Sequence, residues 1–156
     1  MKTPRETITE HPFFLGMKPE QLDVLVGCAS ETKLKTDQVL FREGEPANKF
    51  YLIESGRIAI EAHQLANGTA PVQTLGPGDV LGWSWLFPPF TWHFQARALE
   101  PAQAIVLDGA RLLVTAERNR EFGYELMKRV AQVVIRRLQA TRKQLLEQQI
   151  ESAMEG

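Results

Sequence analysis

The sequence holds one cysteine, Cys28, in 156 residues. A lone thiol can form neither an intrachain disulfide nor a multi-cysteine zinc site, and its scarcity favours a reducing compartment. Histidine is also scarce. His11, His63 and His93 lie far apart with no pair at ligand spacing, so a several-histidine metal centre is not expected. Cys28 falls on a short helical segment, where a lone small apolar side chain is read as packed rather than nucleophilic. Without a nucleophile or a metal set, the chain is read as non-enzymatic. Long apolar runs are missing too. The first ten residues are polar and carry no secretory core, no later stretch is long enough to span a bilayer, and a cytoplasmic location without membrane contact is expected. Nor is there an excess of one charge: 18 Lys and Arg face 19 Asp and Glu, so no global attraction to nucleic acid follows.

What is present suits a single globular domain. Hydrophobic residues make up 44% and charged residues 24% of the chain, enough to bury one core. Pro19 followed by Leu22, Leu25 and Val26 predicts a short amphipathic helix ending at Gly27, with Pro12, Phe13, Phe14 and Leu15 as an apolar hook before it. From Thr32 to about Asp108 the pattern becomes short β-branched and aromatic runs at 38–41, 50–54, 57–62, 72–75, 93–99 and 102–107. Glycine-bearing turns separate them: Glu43-Gly44-Glu45, Ser55-Gly56, Asn67-Gly68 and Gly76-Pro77-Gly78-Asp79. Evenly spaced short strands with glycine corners predict a mainly β fold, an antiparallel roll or small barrel. Asp108 is placed to cap a short helix through Leu112, Leu113 and Ala116. The reading divides 1–156 into a helical arm (1–30), a roll (31–108) and C-terminal helices (109–156).

From Glu121 to about Ala153 only Gly123 interrupts the helical pattern, so one helix of roughly 50 Å is predicted at 1.5 Å per residue. Met127, Ala131, Val134, Leu138, Thr141, Leu145 and Gln148 advance by steps of four and three, the spacing of a seam between helices. Leu126, Val130, Val133 and Ile135 widen the apolar surface, which implies cover by the chain's own roll as well as by a second subunit in a two-fold homodimer. Lys128, Arg129, Arg136, Arg137, Arg142 and Lys143 form the one notable charge run. Arg129, Arg136 and Lys143 are placed seven apart on an outer row, either a solvated face or a patch for nucleic acid or an acidic partner.

The segment Phe41-Arg42-Glu43-Gly44-Glu45-Pro46-Ala47-Asn48-Lys49-Phe50-Tyr51-Leu52-Ile53-Glu54-Ser55-Gly56-Arg57-Ile58 resembles a signature of the cyclic nucleotide-binding domain family. Leu75-Gly76-Pro77-Gly78-Asp79-Val80-Leu81-Gly82 resembles the approach to that family's phosphate-binding cassette. The resemblance covers roughly residues 12–146. It implies an eight-stranded antiparallel β-roll of the jelly-roll type, similar to catabolite activator proteins, with short flanking helices and a long dimerisation helix. In those regulators a winged helix-turn-helix follows the long helix. The sequence here stops at Gly156, so sequence-specific DNA binding is not expected.

The resemblance also implies what a cyclic nucleotide would need. The family's cassette carries a glutamate after its glycine for the ribose hydroxyl and, further on, an arginine before Ser or Thr for the cyclic phosphate. The matching stretch here runs from Gly82-Trp83-Ser84-Trp85 to Trp92-His93, with Trp83 at the glutamate, Trp85 at a small residue and Trp92 at the arginine. Arg97 then falls on the following strand. Gly82, Trp83, Ser84, Trp85, Trp92 and His93 are the candidate ligand-binding positions, and no cofactor is expected. Two readings stay open for the aromatics, a pocket collapsed into core or a cavity for a small apolar or aromatic ligand, anionic if His93 is charged. The functional expectation is a dimeric regulatory or sensor module that responds to a ligand or protein partner. The alternative is true binding of cyclic AMP or cyclic GMP by an atypical cassette.

Overall fold

A computed structural model describes residues 3–64 and 68–155, with the side chains of 3–62 and 72–154. The order of elements is α1 (Pro4–Glu10), a 3-10 turn (Pro12–Phe14), α2 (Pro19–Gly27), β1 (Ala29–Leu34), β2 (Val39–Phe41), β3 (Lys49–Ser55), β4 (Ile58–Gln64), β5 (Gly68–Leu75), β6 (Val80–Leu81), a 3-10 turn (Ser84–Leu86), β7 (Gln95–Ala98), β8 (Ala102–Asp108), α3 (Gly109–Arg118) and α4 (Arg120–Glu155). The strands form two antiparallel four-stranded sheets, β1-β8-β3-β6 and β2-β7-β4-β5. The predicted antiparallel β-roll with flanking helices and a long terminal helix is the fold observed.

The four-residue apolar run of β3 explains how the layers stack. Side chains alternate across a strand, so Tyr51 and Ile53 point between the two sheets while Phe50 and Leu52 point out under the helices. A strand buried on both faces reads as a continuous apolar run rather than an alternating one. Beside it, β8 behaves in the same way, with Ile105 and Leu107 under the helices. Two cores result. One lies inside the roll, with Phe41, Ile58, Ile60, Ala96 and Ala98 opposing Tyr51 and Ile53. The other joins the outer face of that sheet to Phe14, Leu25, Leu112, Phe122 and Leu126.

Three elements escape the sequence reading. In β1 only Leu34 is buried, because the strand lies at a sheet edge and five of its six residues need no apolar side chain. The two residues of β6 are too few for a period. The stretch read as a polar N-terminus folds as α1, capped by Thr3, whose side chain accepts from Glu6 N–H at 3.2 Å. Pro4 at its first position and the Thr3-x-x-Glu6 spacing were the available signals. The Asn67-Gly68 turn lies partly outside the described residues, and the side chain of His63 lies outside them altogether. Asp108 caps α3 as expected, accepting from Arg111 N–H at 3.2 Å. No helix among the described residues is long and apolar enough to cross a membrane.

Along α4 two faces separate. Phe122, Leu126, Val130 and Val133 are buried against the body of the same chain. Burial of four such side chains contributes at most about 6–12 kcal/mol of gross hydrophobic free energy. Ile135, expected to widen the apolar surface, is not covered by its own chain. The outer basic row is also corrected. Arg129 turns inward and donates from Nη1 to the carbonyls of Phe13 at 2.7 Å and Leu15 at 2.8 Å, while Nε lies 3.5 Å from Glu125. Carbonyls of the 3-10 hook that lack helical partners draw the guanidinium in.

Candidate functional site

The cassette begins with a turn stitched to β3. Asp79 accepts from Gly76 N–H at 2.9 Å, Gly78 N–H donates to the Ile53 carbonyl at 3.0 Å, and Ile53 N–H donates to the Asp79 carbonyl at 3.0 Å. Strand β6 then delivers Gly82 at φ +93°, a conformation that side-chain-bearing residues rarely adopt. Space gives a second reason for glycine. A Cβ at position 82 would lie 2.6 Å from Trp92 Cη2 and 3.2 Å from the Lys49 carbonyl oxygen.

The three tryptophans part company beyond Gly82. Trp85, in the 3-10 turn, enters the helix-side core, its ring 5.5 Å from Phe50 and its Cβ pressed on Gly109. Trp92 enters the core of the roll, 3% exposed, stacked on Phe41 at 3.6 Å and 9° with Phe94 beside them. Trp83 stays half-buried at the surface, where the Arg137 guanidinium lies over its indole at 4.4 Å. Ser84 is buried, and His93 is exposed. Phe87 and Phe90, also part of the aromatic stretch, are exposed.

Backbone pairing sets this arrangement. Gly44 N–H donates to the Trp92 carbonyl at 2.8 Å, Trp92 N–H to the Glu45 carbonyl at 3.0 Å, and Ala47 N–H to the Phe90 carbonyl at 2.8 Å. The end of the cassette loop is thereby tied to the turn before β3. A residue held on both sides in this way directs its side chain between the sheets, next to Gly82.

Arg97, the arginine that follows the cassette, is committed elsewhere. The buried polar side chains among the described residues are His11, Gln21, Glu61 and Ser84, none of them Lys or Arg. Arg97, on β7, forms a two-pronged contact with buried Glu61, Nε to Oε1 at 3.1 Å and Nη2 to Oε2 at 3.0 Å. Its Nη1 reaches Asp37 at 2.7 Å. Gln95 adds a bond to Glu61 at 2.9 Å. Among the described residues, no group of three or more His, Cys, Asp or Glu could hold a metal ion.

These contacts predict how acid weakens the fold. The Arg97 guanidinium holds the Glu61 carboxyl below its ordinary value near 4.5, against the opposing effect of burial and with help from Gln95. Burial lowers His11 from its ordinary 6.5, partly offset by Asp79, and His11 Nδ1 accepts from Phe13 N–H at 3.2 Å only when unprotonated. Both folded values lie below the unfolded ones, so in each case the unfolded chain takes up the proton first. The His11 contribution is intact above about 6.5 and drains below it, and that of Glu61 is intact above about 4.5 and is lost as pH falls through its folded value. Melting temperature followed from pH 8 to about pH 2 is expected to fall in these two stages. In Arg97→Met the second stage is expected to shrink, because Glu61 no longer gains from being ionised.

The fold and the glycine-led cassette define a class. The family model of the cyclic nucleotide-binding domain matches residues 31–119, and the chain belongs to that family. Particular relatives give it context. A "CRP-like cAMP-activated global transcriptional regulator" of Mycobacterium tuberculosis is 25% identical over 90% of this chain and 61% of its own length. The acetyltransferase Pat of Mycolicibacterium smegmatis is 40% identical over 45% of this chain and 21% of its own. The chain thus spans less than two thirds of either relative. Among solved structures, a candidate cyclic nucleotide-binding protein from Geobacter metallireducens superposes with a TM-score of 0.80 at 28% identity, covering 88% of this chain and 99% of that one. The catabolite activator protein of Thermus thermophilus, at 23% identity and a TM-score of 0.68 over 90% of this chain and 63% of its own, shares the fold.

Proposed function

We propose that this chain is a non-catalytic regulatory module whose cassette is closed by its own aromatic side chains. It acts as a homodimer through α4 and meets a protein partner in place of a cyclic nucleotide. The observation that carries the reading is the position of Trp92, whose ring stacks on Phe41 inside the roll and abuts Gly82. A cyclic phosphate needs a guanidinium or a row of N–H donors once its water is removed. At the aligned position stands an indole, and the nearby Arg97 is already held by Glu61 and Asp37. Each missing charge-assisted contact forgoes about 1.5–3 kcal/mol, roughly ten- to a hundred-fold in affinity, before the cost of expelling Trp92 is counted.

Exposed apolar side chains on α4 support the dimer. Met127, Val134, Leu138 and Leu145 are 43%, 37%, 60% and 55% exposed, and Ala131 and Thr141 on the same stripe are exposed as well. They lie on a face distinct from the one that packs on the roll. Calorimetric titration of the chain with cyclic AMP and with cyclic GMP tests the closed cassette. No saturable heat is expected at micromolar nucleotide, and micromolar binding of either would establish the atypical-cassette reading in its place.

A further inference from the structure

A partly buried guanidinium that makes no ion pair is costly, and Arg137 is such a group. Moving a cation out of water costs several kcal/mol unless an opposite charge and full hydrogen bonding compensate it. The ion pairs among the described residues hold Arg5, Lys18, Arg97, Lys128 and Arg129, and none involves Arg137. Its Nη2 donates to the Val80 carbonyl, its plane covers Trp83, and its Nη1 is buried with no partner. Burial pushes its pKa down to about 10, so it remains charged at neutral pH.

A cavity of about 210 Å³ opens beside this group, between α4 and the turn that leads into the cassette. Arg136 and Arg137 stand on its helix side, with Gln73, Thr74 and Asp79 across from them. The charges facing the space are therefore two guanidiniums and one carboxylate. Two cations against one anion leave the lining net positive, with neutral hydrogen-bonding groups on the opposite wall. The volume is below the roughly 300–1,000 Å³ of drug-sized ligand pockets. It suits a small oxyanion.

We infer that this cavity is a binding site for a phosphate group, held by Arg136 and Arg137 with Thr74 and Gln73 as neutral partners. Two adjacent guanidiniums match a dianion of this shape, because a planar fork can donate parallel bonds to phosphate oxygens and Arg137 keeps donors beyond the one that Val80 takes. Asp79 attracts Arg137 across the space without an ion pair, and the ligand supplies the direct partner that Arg137 lacks. The site lies outside the aligned ligand positions of the cassette, and the inference stands whether or not the cassette takes a cyclic nucleotide. Occupancy reaches the cassette all the same, since Arg137 rests on Trp83.

The test uses the full chain and inorganic phosphate as probe, with sodium chloride at equal ionic strength as control. Phosphate is expected to raise the melting temperature saturably and to alter the Trp83 emission, a change that Trp83→Phe abolishes. Arg137→Met is expected to remain folded, since it removes a partly buried charge that makes no ion pair, and to weaken phosphate binding at least about ten-fold. Arg136→Ala should weaken it as well. Phenyl phosphate separates the two sources of this chemistry: binding as tight as inorganic phosphate points to a phosphomonoester, and weaker binding to free phosphate. An equal response in wild type and Arg137→Met, or one matched by chloride, would overturn the inference.

Discussion

Replacing Trp92 by alanine is expected to destabilise the protein by about 3–5 kcal/mol, the range for truncating a buried aromatic side chain in a packed core. The ring is 3% exposed, makes a parallel stack with Phe41 and lies within contact of Phe94 and Gly82. Relaxation around the void is limited, because the Trp92 backbone is paired to Gly44 and Glu45 on both sides and cannot swing inward. Urea unfolding monitored by circular dichroism measures the loss as a lower midpoint at similar slope. A loss below about 1 kcal/mol would mean that the loop leaves the roll easily, against the position of a wall of the core. It would remove the main support for a closed cassette. Leucine at the same position keeps part of the volume, so its cost is expected to fall between wild type and alanine.

Substituting Leu138 by glutamate is expected to turn the proposed dimer into a folded monomer. The side chain is 60% exposed in the single chain, in the middle of the stripe from Met127 to Leu145. Across a two-fold axis one substitution counts twice, placing two carboxylates near each other while removing two apolar contacts worth about 1.5–3 kcal/mol each. The dimer dissociation constant should therefore rise by at least about a hundred-fold, which sedimentation equilibrium reads directly. Folding is spared, because α4 holds its own chain by the other face, through Phe122, Leu126, Val130 and Val133. Persistence of the wild-type dimer in Leu138→Glu would place the association elsewhere on the surface.

The two faces of α4 show how far a pattern can be read. Steps of three and four residues in Met127, Val134, Leu138 and Leu145 mark a stripe, and the structure leaves that stripe uncovered by its own chain. The same arithmetic placed Arg129 on an outer row. It fails there because an arginine stem spans several ångströms, and backbone carbonyls of the hook at Phe13 and Leu15 lie within its reach. Arg137 was one basic residue among six in the sequence. Its burial against Val80 and Trp83 depends on the β6 segment lying under α4, a juxtaposition of residues more than fifty positions apart.

The cassette divides along the same line. Gly82 was legible through the resemblance to the family's cassette. Which core each tryptophan enters was not. Trp83, Trp85 and Trp92 share one loop and one chemistry, yet their surroundings are half-exposed, helix-side core and roll core in turn. Glu61 and Arg97 were also beyond sequence reach as a pair. Only the antiparallel register of β4 against β7 sets them side by side.

Local order in this protein follows from residue type and spacing: the apolar runs of β3 and β8, the Asp108 cap, the glycine corners and the period of the long helix all act within a few residues. Through these, sequence alone decides that a β-roll forms and that a helix with two apolar faces follows it. Tertiary structure alone decides that Trp92 fills the space beside Gly82, that Arg97 is bound to Glu61, and that Arg137 is half-buried over Trp83 without an ion pair. Each of those outcomes depends on which distant backbone comes within a few ångströms. That distance is set by the packing of the two sheets and α4, which no local period encodes.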